Sequence, residues 1–173
     1  MGQPKELPTL RGEELYIPFV GAIIEREVDG GKEVLIQIRE KDTDTLYSGS
    51  IEIPGGKLRA FEDIYTTVRR EAKEESGMEI TFVSGEDKRQ DYKNKGDTSS
   101  LIEPFCVTQM SNGPFIGLIF LCRAKGEPLQ KTDETKEARW MKIEELREII
   151  TRQPDRVYTA FLAPLKKYVG LAE

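Results

Sequence analysis

The sequence predicts an α/β fold, in which helices flank a mixed sheet. Strand-like apolar runs lie within residues 16–53, a segment with helix caps follows at residues 64–76, and two helical segments end the chain. Strands, then a helix, then further strands and terminal helices are typical of a sheet covered by helices. At 173 residues the chain is long enough for one domain with a hydrophobic core.

Residues 15–173 are predicted to form that single domain, and residues 1–14 are predicted to form an N-terminal arm. The arm is polar and contains two prolines, so it reads as a segment outside the core. Such a segment is either mobile or a short strand that pairs with a partner subunit in a homodimer. The sequence leaves both readings open.

Glycine-rich turns divide the apolar runs into strands. Residues 16–28 and 33–40 are joined by Asp29-Gly30-Gly31-Lys32, which predicts a hairpin, and residues 101–110 and 114–124 are predicted to pair across Ser111-Asn112-Gly113. The other predicted strands are 51–53, 79–83 and 138–142, and the predicted terminal helices are 143–150 and 157–169. Residues 42–50, 84–99 and 125–136 are predicted loops. The 84–99 segment is polar and aperiodic, and a loop of that length is usually functional or disordered.

The central helix has clear start and stop signals. Asp63 is a good N-cap, and Gly77 is the residue type that most easily takes the left-handed conformation after a helix. At about 100° per residue, Ile64, Val68 and Ala72 form one apolar stripe, which is expected to pack on the core.

Two carboxylates fall on the same side of this helix as the apolar stripe. Glu75 lies between Ile64 and Val68 on the helical wheel, Glu71 lies close to Ile64, and Glu74 flanks them. Carboxylates at this spacing repel one another unless a cation lies between them. The chain contains no histidine, and oxygen-only ligands suit Mg²⁺ or Mn²⁺ better than zinc. The alternative is a solvated charged face, but these charges lie on the wrong side of the helix for it.

The segment from Gly56 to Met78 resembles the motif that defines the Nudix hydrolases. Seven fixed residues recur over 23 positions at the motif's spacing, in the order Gly56, five residues, Glu62, seven residues, Arg70-Glu71, two residues, Glu74-Glu75, one residue and Gly77. The glycine-rich loop followed by a helix agrees with the context expected of that motif. The resemblance implies a Nudix-type α/β/α sandwich with a mixed sheet.

The resemblance also implies roles for individual residues. It gives a metal-ligating backbone carbonyl to Gly56 and metal-ligating carboxylates to Glu71, Glu74 and Glu75, with Mg²⁺ as the cofactor and Mn²⁺ as a substitute. Arg70 resembles the residue that orients one of these carboxylates, and Glu62 resembles the outer carboxylate of the family. Arg59 and Phe61 depart from the acidic residue and the glycine that many members carry at these positions.

The general base is left open between the helix and a later loop. Glu71 is the candidate by motif position, whereas several family members take the base or an extra ligand from the loop before the last strand. That loop contains Asp133, Glu134 and Glu137, of which Glu134 is the first choice. The alternative is that all three are solvated loop acids.

The predicted function is Mg²⁺-dependent hydrolysis of a phosphoanhydride in a nucleoside diphosphate linked to a second group. Arg39 and Phe61 are candidate contacts to the phosphates and to a base or ring, although residues of these types more often have plain surface or packing roles. The sequence carries no clear signature downstream of the motif for cleavage of ADP-ribose, a dinucleoside polyphosphate or coenzyme A. The alternative function is a catalytically silent nucleotide-binding regulator or interaction module.

Composition limits the partners and the compartment. A net charge of −5 argues against a general nucleic-acid or membrane-surface binder, because these need a basic face. The chain has no apolar run of about 18 residues or more and no apolar signal core at its start, which predicts a cytoplasmic protein. Cys106 and Cys122 lie in apolar strand-like runs, where buried structural thiols are common, so neither is given a catalytic role.

Overall fold

The structure is a computed structural model that describes residues 7–40 and 46–172. Within these residues the strands are Thr9–Leu10 (β1), Glu13–Glu14 (β2), Ile17–Val28 (β3), Gly31–Arg39 (β4), Ile51–Glu52 (β5), Gly55–Lys57 (β6), Glu79–Val83 (β7), Gln90–Asn94 (β8), Asp97–Leu101 (β9), Cys106–Gln109 (β10), Phe115–Lys125 (β11) and Thr135–Lys142 (β12). The α-helices in the same residues are Ile64–Ser76 (α1), Ile143–Arg152 (α2) and Thr159–Tyr168 (α3). In this part of the chain no helix is both long and apolar enough to cross a membrane. The predicted cytoplasmic location stays a prediction.

The main sheet is mixed, as the sequence predicted. Its strands follow the order β10-β11-β3-β4-β12, with β5 beside β4, β6 beside β3 and β7 beside β11. β11 runs parallel to β3, and the other pairs are antiparallel. Val28 lies opposite Gly31, so the first predicted hairpin turns at Asp29-Gly30. The second predicted hairpin is the β10-β11 pair.

Helices cover both faces of this sheet. Along β3, Val20, Ala22 and Ile24 pack with residues of α1, whereas Phe19 and Ile23 pack with residues of α2 and α3. This alternation follows from the period of two in a strand. The two hydrophobic cores lie on opposite sides of one sheet and give the α/β/α sandwich of the expected fold.

Helix α1 begins and ends as its caps predict. The Asp63 side chain accepts hydrogen bonds from the backbone N–H groups of Tyr65 and Thr66, and Gly77 takes the left-handed conformation with φ 75°. A Cβ at Gly77 would lie 2.6 Å from Cγ of Leu129, so glycine also allows the loop between β11 and β12 to pack closely against the end of α1. The predicted apolar stripe is buried in the core on this side of the sheet.

The predicted loop at 84–99 is wrong, because the structure forms a hairpin there. A 3-10 turn at Glu86–Lys88 leads into β8 and β9, which pair across Lys95-Gly96. Nearly every residue of this hairpin is exposed on both faces, so its sequence carries no alternation of polar and apolar residues. Arg89 forms ion pairs with Asp63 and Asp91 and thereby joins the hairpin to the start of α1.

Two other predictions fall partly outside the described residues. Residues 1–6 of the predicted arm are outside them, and the rest of the arm forms the short β1-β2 pair. Pairing with a partner subunit stays a prediction. Of the predicted 42–50 loop, residues 42–45 are likewise outside the described part, and residues 46–49 form a turn.

Candidate active site

Two glycines bring the loop backbone against the sheet and against α1. Gly55 and Gly56 lie in β6, opposite Gly21 and Val20 of β3. A Cβ at Gly55 would lie 2.4 Å from the Val20 carbonyl oxygen, and a Cβ at Gly56 would lie 2.2 Å from Oε2 of Glu71. A side chain at Gly55 would therefore push the loop away from β3, and a side chain at Gly56 would displace the Glu71 carboxylate or the loop. The Gly-Gly pair allows the loop backbone to touch the Glu71 carboxylate.

Arg70 gathers three of the motif glutamates around its guanidinium group. Its Nε and Nη2 atoms donate to the two oxygens of Glu62 at 2.7 and 2.8 Å. Its Nη1 atom donates to Oε1 of Glu71 at 2.5 Å and to Oε2 of Glu74 at 3.2 Å. We call Arg70, Glu62, Glu71 and Glu74 the Arg70 network. The network offsets the repulsion that the glutamate spacing predicts.

Ionisation in the Arg70 network follows from these hydrogen bonds. Hydrogen bonding from Arg70 lowers the pKa of the Glu62 carboxyl to about 2. The pKa of Arg70 is raised in turn, chiefly by its hydrogen bond to Glu62 and further by Glu71. Both groups are therefore charged at neutral pH, and Arg70 is anchored at one end by Glu62 while its other end reaches Glu71 and Glu74.

Glu75 is held separately, in a buried position. Its carboxylate oxygen Oε2 accepts hydrogen bonds from the backbone N–H of Gly55 at 3.0 Å and from Nε2 of Gln37 at 2.8 Å. Only 6% of the residue is exposed, as its place on the helical wheel predicted. Sequence reasoning missed Gln37, although one signal was present: it is the one polar residue in the run Val34–Ile38 of β4.

Gln37 extends this contact into a wider polar group. Its Nε2 atom also donates to Oε1 of Glu52 at 3.3 Å, and Nη1 of Arg39 donates to Oε2 of Glu52 at 3.0 Å. The guanidinium carbon of Arg39 lies 4.4 Å from the centre of the Tyr158 ring. We call Arg39, Glu52, Gln37 and Glu75 the buried polar cluster. All four residues are less than 9% exposed.

The donors of the site fit a hard divalent cation in their chemistry. Three carboxylates of one helix and a glycine-rich backbone supply oxygen ligands only, which is the ligand type that Mg²⁺ and Mn²⁺ prefer. The described residues contain no group of three or more acidic, histidine or cysteine side chains gathered to hold a metal ion. The three carboxylates have different partners in this structure. Arg70 donates to Glu71 and Glu74, whereas Gln37 and the Gly55 backbone donate to Glu75.

The loop that contains Glu134 is fixed to the end of α1. The hydroxyl of Thr135 donates to the backbone carbonyl oxygen of Glu75 at 3.0 Å, and the Glu134 backbone N–H donates to the Thr132 hydroxyl at 3.3 Å. Asp133, Glu134 and Glu137 are all exposed. Glu137 takes a left-handed φ of 53°, at an irregularity in the pairing of β12 with β4. The loop acids thus lie on a segment attached to the helix of the motif.

Phe61 combines full exposure with an unusual backbone conformation. The side chain is not covered by any part of the described chain, and φ is 65°. Arg11 and Lys95 also have positive φ, but each lies in a two-residue hairpin turn followed by a glycine, where this conformation is ordinary. For a bulky residue outside such a turn, a left-handed φ costs energy. Such outliers are found preferentially at functional sites.

The sequence matches a family model over most of its length. The family model described as NUDIX domain matches residues 16–161. No curated protein matches the sequence.

Solved structures show the same fold. A NUDIX hydrolase from Nitrosomonas europaea is 18% identical, with a TM-score of 0.64, and the alignment covers 91% of this chain and 72% of that one. A MutT NUDIX hydrolase from Burkholderia pseudomallei is 20% identical, with a TM-score of 0.56 and coverage of 87% and 95%. An Ap4A hydrolase from C. elegans, solved as a binary complex, is 19% identical, with a TM-score of 0.50 and coverage of 89% and 96%.

Proposed function

Because the chain belongs to the Nudix family, we propose that it hydrolyses a phosphoanhydride in a nucleoside diphosphate linked to another moiety, with Mg²⁺ as cofactor. One observation carries the proposal: groups of the complete motif lie in contact, with the Gly56 backbone against the Glu71 carboxylate and the Glu75 carboxylate hydrogen-bonded to the Gly55 N–H. The products would be a nucleoside monophosphate and a phosphorylated second group, or a phosphate product where the substrate is nucleotide-like.

Four residues would hold the cation: Gly56, Glu71, Glu74 and Glu75. Bound Mg²⁺ supplies charge neutralisation at phosphate oxygens and a water of lowered pKa. Arg70 fixes Glu71 and Glu74 through one nitrogen atom, and Glu62 fixes Arg70 through two hydrogen bonds. Arg70 and Glu62 therefore act as positioning residues for the carboxylates. Mn²⁺ is expected to replace Mg²⁺, since both are hard cations with oxygen ligands.

The general base of the proposal is Glu71 or Glu134. Glu71 is held between Arg70 and the Gly56 backbone, whereas Glu134 lies on the loop fixed to the end of α1. Replacing Glu134 with Gln is expected to lower kcat about 10²-fold, with little change in KM, if Glu134 is the base. Glu137→Gln, which changes an exposed acid three residues later in β12, is the matched control. A Glu134→Gln enzyme with wild-type kcat would assign the base to Glu71.

Phe61 is the proposed contact to the base or ring of the substrate. The support is its exposed ring and its strained backbone, which a glycine would relieve. Arg39 has less support as a phosphate contact, because it is 8% exposed and paired with Glu52. Phe61→Gly is expected to raise KM and to increase stability, whereas Lys95→Gly should increase stability alone. An unchanged KM in Phe61→Gly would remove this residue from the substrate site.

A substrate panel tests the proposed function directly. The protein is incubated with Mg²⁺ and with ADP-ribose, nucleotide sugars, dinucleoside polyphosphates and nucleoside triphosphates, and the phosphorus-containing products are separated. Release of a nucleoside monophosphate that stops in EDTA is expected. Turnover that persists in EDTA would contradict the metal mechanism. Tight binding of a nucleotide without turnover would favour the silent regulator instead.

A further inference from the structure

We infer that Gln37, which lies outside the Nudix motif, is a positioning residue: its side-chain amide fixes the carboxylate of Glu75 and so sets the affinity of the site for a divalent cation. The inference rests on the proposed function for its effect on turnover. Its effect on cation binding is measured without any substrate. The two ideas can therefore fail separately.

The first argument is the geometry at Glu75. Two donors converge on the same carboxylate oxygen, the Gln37 amide at 2.8 Å and the Gly55 backbone N–H at 3.0 Å. Gly55 fixes the oxygen from the loop and Gln37 fixes it from β4, so rotation of the carboxylate would break at least one hydrogen bond. A ligand held in one orientation binds a cation better than a ligand that must first be ordered.

The second argument is the orientation of the amide itself. The same Nε2 atom donates to Glu52 at 3.3 Å, and Glu52 is paired with Arg39 at 3.0 Å. A flipped amide would turn its oxygen toward two carboxylates, so only the observed orientation is favourable. Arg39 and Glu52 thus fix the orientation of the Gln37 amide, and the Gln37 amide fixes the Glu75 carboxylate.

The third argument is the cost of placing an amide here. Gln37 is fully buried, and its Oε1 atom has no hydrogen-bond partner among the described residues. A buried acceptor without a partner lowers stability, and an apolar side chain in this strand would avoid the loss. Departures of this kind from the most stable choice are expected where a residue serves a site. The role of Gln37 therefore lies in its Nε2 contacts.

The test uses the full chain and Mn²⁺ as the probe. Gln37→Met keeps the length and the volume of the side chain but removes the amide, and Ile36→Met alters β4 on the opposite face of the sheet as the matched control. Mn²⁺ is titrated into the protein, and the electron paramagnetic resonance signal of the free ion reports binding. Gln37→Met is expected to bind Mn²⁺ at least about tenfold more weakly than the wild type. Ile36→Met is expected to bind as the wild type does.

A second variant guards against a folding defect. Gln37→Asn keeps an amide in the strand but shortens it by one methylene group, so its nitrogen no longer reaches Glu75. It should show the same loss of Mn²⁺ affinity. Wild-type affinity in a folded Gln37→Met or Gln37→Asn protein would overturn the inference, as would a wild-type protein that binds no Mn²⁺.

Turnover gives an independent measure if a substrate is found. High Mg²⁺ should restore kcat in Gln37→Met, because the ligands remain and only their order is lost, whereas Glu75→Gln should not be restored. A purely structural role of Gln37 predicts a lower melting temperature without this dependence on Mg²⁺. Mn²⁺ binding that depends on Gln37, in a protein that hydrolyses nothing, would support the inference and contradict the proposed function.

Discussion

The Arg70 network and the buried polar cluster both place an arginine among glutamates, but they differ in origin and in exposure. The Arg70 network comes from one continuous segment, residues 62–74. Its Glu74 side chain is 54% exposed, and the side chains of Arg70, Glu62 and Glu71 are 13–16% exposed. The buried polar cluster joins β4, β5 and α1, and the side chains of its Arg39–Glu52 pair are only 9% and 2% exposed. The members of the Arg70 network are close in sequence and partly solvated. The members of the buried polar cluster are far apart in sequence and buried.

Because of this difference, we expect substitutions in the Arg70 network to affect mainly activity and substitutions in the buried polar cluster to affect mainly stability. An ion pair that water can reach contributes little to folding, so the Arg70 network is free to be arranged for its ligands. A buried charge that loses its partner destabilises the protein strongly. Glu75 links the two requirements, because it belongs to the motif by sequence and to the buried polar cluster by its contacts. Substitutions should therefore divide into those that change activity and those that change the free energy of unfolding.

The largest effect is expected from Glu75→Gln. Loss of this carboxylate should reduce kcat/KM about 10³-fold or more and remove most of the rise in melting temperature that millimolar Mg²⁺ causes. Stability without metal should change little, since the carboxamide oxygen can still accept from Gly55 and Gln37. Activity assays and thermal melts with Mg²⁺ and with EDTA measure both. Glu144→Gln, on the exposed side of α2, is the control, and an active Glu75→Gln enzyme would contradict the assignment.

The next effect falls on stability. Arg39→Met removes the ion pair that Arg39 forms with the buried Glu52 carboxylate, so the free energy of unfolding should fall by about 3 kcal/mol. Urea unfolding measures the loss. Arg152→Met, which breaks a pair whose side chains are 73% and 62% exposed, should cost less than about 1 kcal/mol. A similar small loss for both variants would show that burial does not make the Arg39–Glu52 pair more important for folding than an exposed pair.

Much of the Arg70 network was predictable because its determinants are local. Asp63 and Gly77 fix the ends of α1, and Arg70, Glu71 and Glu74 all lie on this helix. The motif spacing then brings Arg70 within reach of Glu71 and Glu74 along one helix. None of this requires knowledge of the tertiary fold.

The buried polar cluster could not be predicted in the same way. Its Gln37–Glu75 contact spans 38 residues, and only the packing of α1 against β4 creates it. Arg39 looked like a candidate phosphate contact because sequence does not reveal that Glu52 and Tyr158 cover it. The β8-β9 hairpin escaped prediction for another reason: both of its faces are exposed, so no pattern of apolar residues marks it.

A smaller effect is expected when Arg70 keeps its charge but loses its shape. Arg70→Lys removes the two-pronged contact to Glu62, so Glu71 and Glu74 lose a fixed donor. We expect kcat to fall about 10- to 100-fold, with a small change in stability. Arg69→Lys is the matched control, because the neighbouring Arg69 makes the same two-pronged contact to Glu86, outside the motif. Equal kcat values for the two lysine variants would contradict a positioning role for Arg70.

The smallest effect is a dependence of stability on pH that originates in Glu62. Arg70 lowers the pKa of this carboxyl from 4.5 to about 2 in the folded protein, so the unfolded chain binds more protons between these values. The stabilisation is present above about pH 4.5 and is lost as the pH falls toward 2. Urea unfolding of the wild type and of Glu62→Gln should therefore differ most near neutral pH and converge in acid. In the Arg70→Gln background, which lacks the donor, Glu62→Gln should produce no such pH-dependent difference. The difference in the free energy of unfolding between wild type and Glu62→Gln could instead stay constant from pH 6 to acid. That result would show that the ion pair between Arg70 and ionised Glu62 contributes nothing to folding.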